Sequence, residues 1–143
     1  MDIKAKFSEA QDYVSKGIFE GALQIYKEIM EATEGEDTYY WALKHYGDVV
    51  GYIGYKDYFQ SIDVYQKIIM EYENEDDNLY EMCQLDTARA YLECGLGMIE
   101  NFDNTIHMFE PEDDQMQDYK KTLMKKRNSF IEQEAEAIYK SRL

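Results

Sequence analysis

The sequence holds 143 residues, 45% hydrophobic and 15% aromatic with a single proline, which excludes a disordered chain and points to one core or one short repeat array. Fifteen lysines and arginines stand against 30 acids, and a net charge of −15 repels phosphate backbones and anionic membranes, so neither is an expected partner. No run of about 18 apolar residues is present, which argues against a membrane span, and residues 1–7 lack the apolar segment of a secretory signal.

Apolar residues recur at helical spacing from the start of the chain. Phe7, Ala10, Tyr13 and Val14 mark one stripe, and after Gly17 a second follows with Phe19, Ala22, Leu23, Tyr26, Ile29 and Met30. The acidic stretch 34–37 ends this first hairpin, at about 3–34. A second hairpin, about 38–73, turns at Gly51 and Gly54, and its later stripe is Tyr58, Phe59, Ile62, Tyr65, Ile68 and Ile69. After the acidic stretch 73–78, Asn78 with Glu81 three residues on reads as a helix N-cap. Met82, Leu85, Ala88, Tyr91 and Leu92, a turn at Gly95 and Gly97, then Ile99, Phe102, Ile106 and Phe109 predict a third hairpin at about 78–110. Beyond the break at 110–114, Met116, Tyr119, Leu123, Phe130, Ile131 and Ile138 predict an amphipathic seventh helix. Strict alternation, the mark of a strand, never persists. The fold class expected is all-α, with residues 1–112 as a hairpin array and 113–143 as a C-terminal capping helix.

Charge divides unevenly along the chain. Residues 1–114 carry 8 lysines and arginines against 26 acids, a net −18, whereas 115–143 carry 7 against 4, a net +3. Lys120, Lys121, Lys125, Lys126 and Arg127 make the last helix basic, either as a solvated face or as a complement to an acidic body. Cys83 and Cys94 lie eleven residues apart, roughly 16 Å along a helix axis, too far for a disulfide. Two buried thiols and a reducing, cytoplasmic location are the expectation.

Aligning Gly17, Gly54 and Gly95 brings further positions into register. Small residues Ala10, Gly47 and Ala88 lie seven before the glycine, and Tyr13, Val50 and Tyr91 lie four before it. Ala22, Ser61 and Phe102, then Tyr26, Tyr65 and Ile106, follow in the second helices. A small residue lets two helices approach closely while a neighbouring aromatic fills the gap between hairpins. This pattern resembles the tetratricopeptide repeat, best in the first hairpin and least in the third, where Phe102 replaces a small residue. The resemblance covers about residues 3–110. It implies a right-handed array of antiparallel helix pairs whose first helices line a concave groove, closed at one end by the last helix.

Carried over from that family, the groove positions are Lys4, Phe7, Gln11 and Val14; Trp41, Lys44, Asp48 and Tyr52; and Met82, Leu85, Arg89 and Leu92. The partner-binding candidates are Trp41, Lys44, Asp48, Tyr52 and Arg89, since aromatics and arginine dominate binding hot spots. Asp48 is expected to read a positive group, or to pair internally when the groove is empty. The residues that grip chaperone C-termini in one branch of the family are absent: Phe7, Gln11, His45, Met82 and Asp86 stand at those positions. His45 and His107 read as exposed or capping residues, and the acidic stretch 73–81 lacks the glycine and oxygen spacing of a calcium loop. No phosphate loop, nucleophile elbow or metal signature occurs, so no enzyme, metal or cofactor is expected. Tyr39, Tyr40, Tyr52, Tyr55 and Tyr58 gather near Trp41 and the second turn, as a packing seam or a contact patch.

The functional expectation is a non-enzymatic adaptor or scaffold holding a basic or amphipathic peptide or helix of a partner protein in the groove. The alternative is a self-associating module, a possible homodimer, whose basic last helix docks on an acidic neighbour. A small-ligand sensor is a third reading.

Overall fold

The computed structural model describes residues 1–107, 110 and 113–141, without the side chains of Leu96, Ala135, Ile138, Tyr139 and Ser141. The expected roles of Phe109 and Ile138 therefore lie outside the described residues. Among the described residues all regular structure is helical: α1 Ile3–Ser15, α2 Phe19–Ala32, α3 Asp37–Asp48, α4 Tyr58–Glu71, α5 Leu79–His107 and α6 Asp114–Ser141. The chain forms two compact units, Met1–Cys94 and Gly95–Leu143.

The first unit is built from two hairpins and the start of α5. Asp2 caps α1 by accepting from the Ala5 N–H at 3.1 Å. Gly17, at φ 73°, takes the left-handed conformation that stops α1, and the Ile18 N–H returns to the Tyr13 carbonyl at 2.8 Å. α2 then folds back on α1 and packs against α3. Ala10, Ala22, Ile25, Tyr26, Ile29, Ala42 and Val49 form one core cluster, and Leu43, Tyr65, Ile68, Tyr72, Leu79 and Cys83 form a second. Met30 touches both clusters.

Between α3 and α4 the chain makes a π-helical turn, Val49–Ile53, with Gly51 at φ −100° and ψ −115°. The Val49 carbonyl accepts from both the Gly54 and Tyr55 N–H groups, and the Gly51 and Val50 carbonyls accept from Lys56 and Asp57. Asp57 caps α4 through the Gln60 N–H at 3.2 Å. Gly47 permits the close α3–α4 approach expected of a small residue there: a Cβ would lie 2.8 Å from Val64 Cγ1.

The third hairpin does not form. α5 runs unbroken from Leu79 to His107, through Gly95 and Gly97. Each interior glycine weakens a helix by about 1 kcal/mol but supplies no turn without a left-handed residue after it. Positive φ among glycines occurs only at Gly17 and Gly35 in the described chain. Among the described residues there are thus six α-helices, not seven. The buried stripe of α5 is Leu79, Cys83, Thr87 and Ala90, while Leu85, Ala88 and Tyr91 are exposed. The α5 cap is also displaced by one residue, because Asp77 and not Asn78 accepts the Leu79 N–H, at 3.1 Å. Cys83 is buried and Cys94 only partly so, and both are free.

Ala10 and Ala88, aligned by the repeat pattern, therefore respond oppositely to enlargement. Ala10→Leu costs about 1–3 kcal/mol by overpacking a residue with no solvent exposure, whereas Ala88→Leu leaves the thermal midpoint nearly unchanged. Thermal melts of the two variants check this contrast.

In the second unit Arg127 grips Asp103 with two hydrogen bonds of 2.6 Å, joining α6 to the later part of α5. The predicted apolar stripe of α6 divides. Leu123 and Ile131 are half-buried, but Met116, Tyr119 and Phe130 are 44%, 61% and 43% exposed. No helix among the described residues is long and apolar enough to cross a membrane.

Candidate functional site

α3 presents Trp41, Lys44 and Asp48 at spacings of three and four, which puts them on one face of the helix. Lys44 and Asp48 are not open to a ligand there, being 6% and 2% exposed. Lys44 Nζ donates to Asp48 Oδ2 at 2.6 Å, and Tyr65 Oη from α4 donates to Asp48 Oδ1 at 2.5 Å. Asp86 of α5, itself 7% exposed, places Oδ2 3.6 Å from Lys44 Nζ. Among the described residues that oxygen has no hydrogen-bond partner, whereas Asp86 Oδ1 lies 3.5 Å from Arg89 Nη2. Arg89 crosses over the Tyr52 ring, 4.3 Å from its centroid, within the range of a cation–π contact.

Two cations and two carboxylates thus form a neutral lattice clamping α3, α4, α5 and the π-turn. Burial raises the Asp48 and Asp86 carboxyls above their ordinary range, an effect that Lys44 and Arg89 partly reverse. Burial alone would lower the Lys44 ammonium, but Asp48 and Asp86 outweigh it and hold the lysine charged. The Tyr65 phenol is pushed far up by burial and by Asp48, so it remains a donor.

Four of the five candidates are therefore brought together: Lys44, Asp48, Tyr52 and Arg89. Of the two readings given for Asp48, the internal pairing is the one seen, its oxygens engaged by Lys44 and Tyr65. Trp41 serves another cluster. Its Nε1 donates to Asp77 Oδ2 at 3.3 Å, the oxygen that Tyr72 Oη also reaches, which ties the α4–α5 loop to α3.

His45 departs from expectation as well. It is neither exposed nor capping, but stacks on Tyr26 at 5.6 Å and meets Phe7 edge-on at 5.8 Å. Burial, helped by the Lys44 charge, lowers its pKa to about 4. Unfolded histidine protonates near 6.5, so the neutral folded form contributes stability above pH 6.5 that is lost as pH falls towards 4. A loss of about 2–3 kcal/mol across that window is expected, and urea titrations of His45→Phe should lack it.

The tyrosines expected to form one group separate into two. Tyr39, Tyr40 and Tyr72 make edge-to-face contacts of 5.1 and 5.5 Å at the loop end, where Tyr40 Oη reaches Glu71. Tyr55 instead meets Phe19, and Tyr52 lies under Arg89.

No trio of His, Cys, Asp or Glu able to hold a metal occurs among the described residues. No family model, curated protein or solved structure matches the chain. Sequence reasoning missed Asp86, Tyr65 and Asp77 as structural ligands of these clusters. Lys44 four before Asp48 and Asp86 three before Arg89 are legible ion-pair spacings. Their burial against each other is a tertiary fact.

One surface of this assembly stays open. Met82, Leu85, Arg89 and Leu92 follow one another at spacings of three and four along α5, with Leu85 70% exposed and Met82 and Leu92 half-buried. The lattice fixes Arg89 from below through Asp86 and Tyr52.

Proposed function

We propose that the chain is a non-enzymatic protein-interaction module, its two hairpins and α5 arranged like tetratricopeptide repeats, that holds an amphipathic segment of another protein against α5. The observation that supports this reading best is the stripe Met82, Leu85, Arg89 and Leu92, whose exposed leucine lies one turn from an arginine braced on Tyr52. A bare leucine alone needs no explanation. Spaced as i, i+3, i+7 and i+10 around an anchored arginine, these side chains match the anchors of helix-in-groove recognition.

The chemistry divides between the stripe and its surroundings. Apolar partner residues cover Met82, Leu85 and Leu92, and a carboxylate or carbonyl accepts from Arg89. Residues 1–94 hold 8 lysines and arginines against 20 acids, so basic flanks on the partner strengthen encounter at low salt. Trp41 and the Lys44–Asp48 pair act from beneath, by fixing the helices that carry the stripe.

Leu85→Lys and Arg89→Glu test the reading. Leu85→Lys leaves the thermal midpoint close to the parent value, whereas Arg89→Glu lowers it by taking the cation from buried Asp86. Each lowers the affinity of the folded protein for the partner by about 2 kcal/mol, roughly thirtyfold, read by calorimetric titration. Equal affinity in both variants moves the contact away from α5.

A further inference from the structure

Two surfaces of opposite charge lie outside the α5 stripe. α6 carries a groove of about 580 Å³ lined by Glu110, Gln117, Lys120, Lys121, Met124 and Lys125. Lys121, Lys125 and the neighbouring Lys126 are exposed. The other surface is the α4–α5 loop, where residues 71–81 contain six acids and no lysine or arginine.

That loop is held by bonds within it and by bonds to α3. Asn74 Nδ2 donates to Asp37 at 2.9 Å, the Asp76 N–H donates to Asn74 Oδ1 at 2.9 Å, and Asp77 is held by Trp41, Tyr72 and the Leu79 N–H. Glu73, Glu75 and Asp76 are left exposed beside Tyr80, which is 40% exposed.

We infer that the α6 groove of one molecule receives the α4–α5 loop of a second copy. The carboxylates of Glu73 and Glu75 meet Lys121 and Lys125, and the Tyr80 ring covers Met124, joining thioether and aromatic edge. Charge complementarity selects this occupant: the basic helix and a cation-free acidic loop are encoded in the same chain and are therefore always present together. The contact is heterologous, groove to loop, so each bound molecule still offers one groove and one loop. Association then proceeds to a closed ring or an extending chain. It uses neither Leu85 nor Arg89, and leaves the α5 stripe free.

Light scattering of the full chain at low ionic strength tests the inference. The apparent mass should exceed the 17.0 kDa of one chain, rise with concentration, and return to the single-chain value in roughly 0.5 M salt. Lys121→Glu with Lys125→Glu, and separately Glu73→Lys with Glu75→Lys, should each weaken association about tenfold or more while circular dichroism stays unchanged. Mixing the two reversed proteins should restore it, because an acidic α6 then meets a basic loop. A wild-type chain that stays single at every concentration overturns the inference. So does a reversal that associates like wild type, or a mixture that remains unassociated.

Discussion

Asp48→Ala lowers the unfolding free energy by about 3–5 kcal/mol, measured in urea by circular dichroism. The side chain is 2% exposed and receives hydrogen bonds from Lys44 and Tyr65, so its removal strands a buried ammonium and a buried phenol. Lys44→Met alone is costly for the mirror reason, leaving Asp48 and Asp86 facing each other without the cation between them. The double variant Lys44→Met with Asp48→Leu recovers only part of the loss, since an apolar pair replaces the buried ion pair but the Tyr65 phenol and the Asp86 carboxylate still lack their partners. A change below about 1 kcal/mol in Asp48→Ala would mean that the lattice is solvated and does not clamp α5.

Gly54→Ala is the second large effect, at about 3 kcal/mol. A Cβ on Gly54 would lie 2.3 Å from the Val49 carbonyl oxygen, which already accepts two N–H groups in the π-turn. Backbone cannot step aside as a flexible side chain does, so the turn itself must open. Gly17→Ala offers the comparison. Its Cβ meets nothing within 4 Å, and only the left-handed φ of 73° opposes the change, at about 1–2 kcal/mol. Equal destabilisation of the two variants in thermal melts contradicts the role assigned to Val49.

Helical class and the first two hairpins were legible because their signals are local. Ala10, Tyr26 and Tyr65 recur on stripes whose period needs no tertiary information, and Gly17 stops α1 through its own left-handed backbone. The third hairpin was misread because Gly95 and Gly97 resemble turn glycines in spacing yet stay inside α5. Nothing local distinguishes an interior helix glycine from one at a helix end. Of the stripe legible in the sequence, Met82, Leu85, Ala88, Tyr91 and Leu92, none is fully buried; Leu79, Thr87 and Ala90 face the core with Cys83, the one of these that is expected there.

That these side chains share one region was legible in the sequence; how they pair was not. Lys44, Asp48, Tyr52 and Arg89 do converge, but their ion pairs close inward through Asp86, whose position depends on how α5 lies against α3. Trp41 reads from sequence as an exposed anchor. Its indole N–H is instead held by Asp77, thirty-six residues away. Aromatic and charged groups at helical spacing give the same pattern whether they bind a partner or brace a neighbour.

Site-specific photo-crosslinking at the α5 stripe tests the central claim most directly. A benzoylphenylalanine is placed at Leu85, and in a second protein at Met70, which is 83% exposed on α4 and outside the stripe. The docking reading predicts a partner adduct from position 85, none from position 70, and loss of the adduct when Arg89→Glu is added. An adduct from position 70 but not from 85, or one at 85 indifferent to Arg89→Glu, contradicts it.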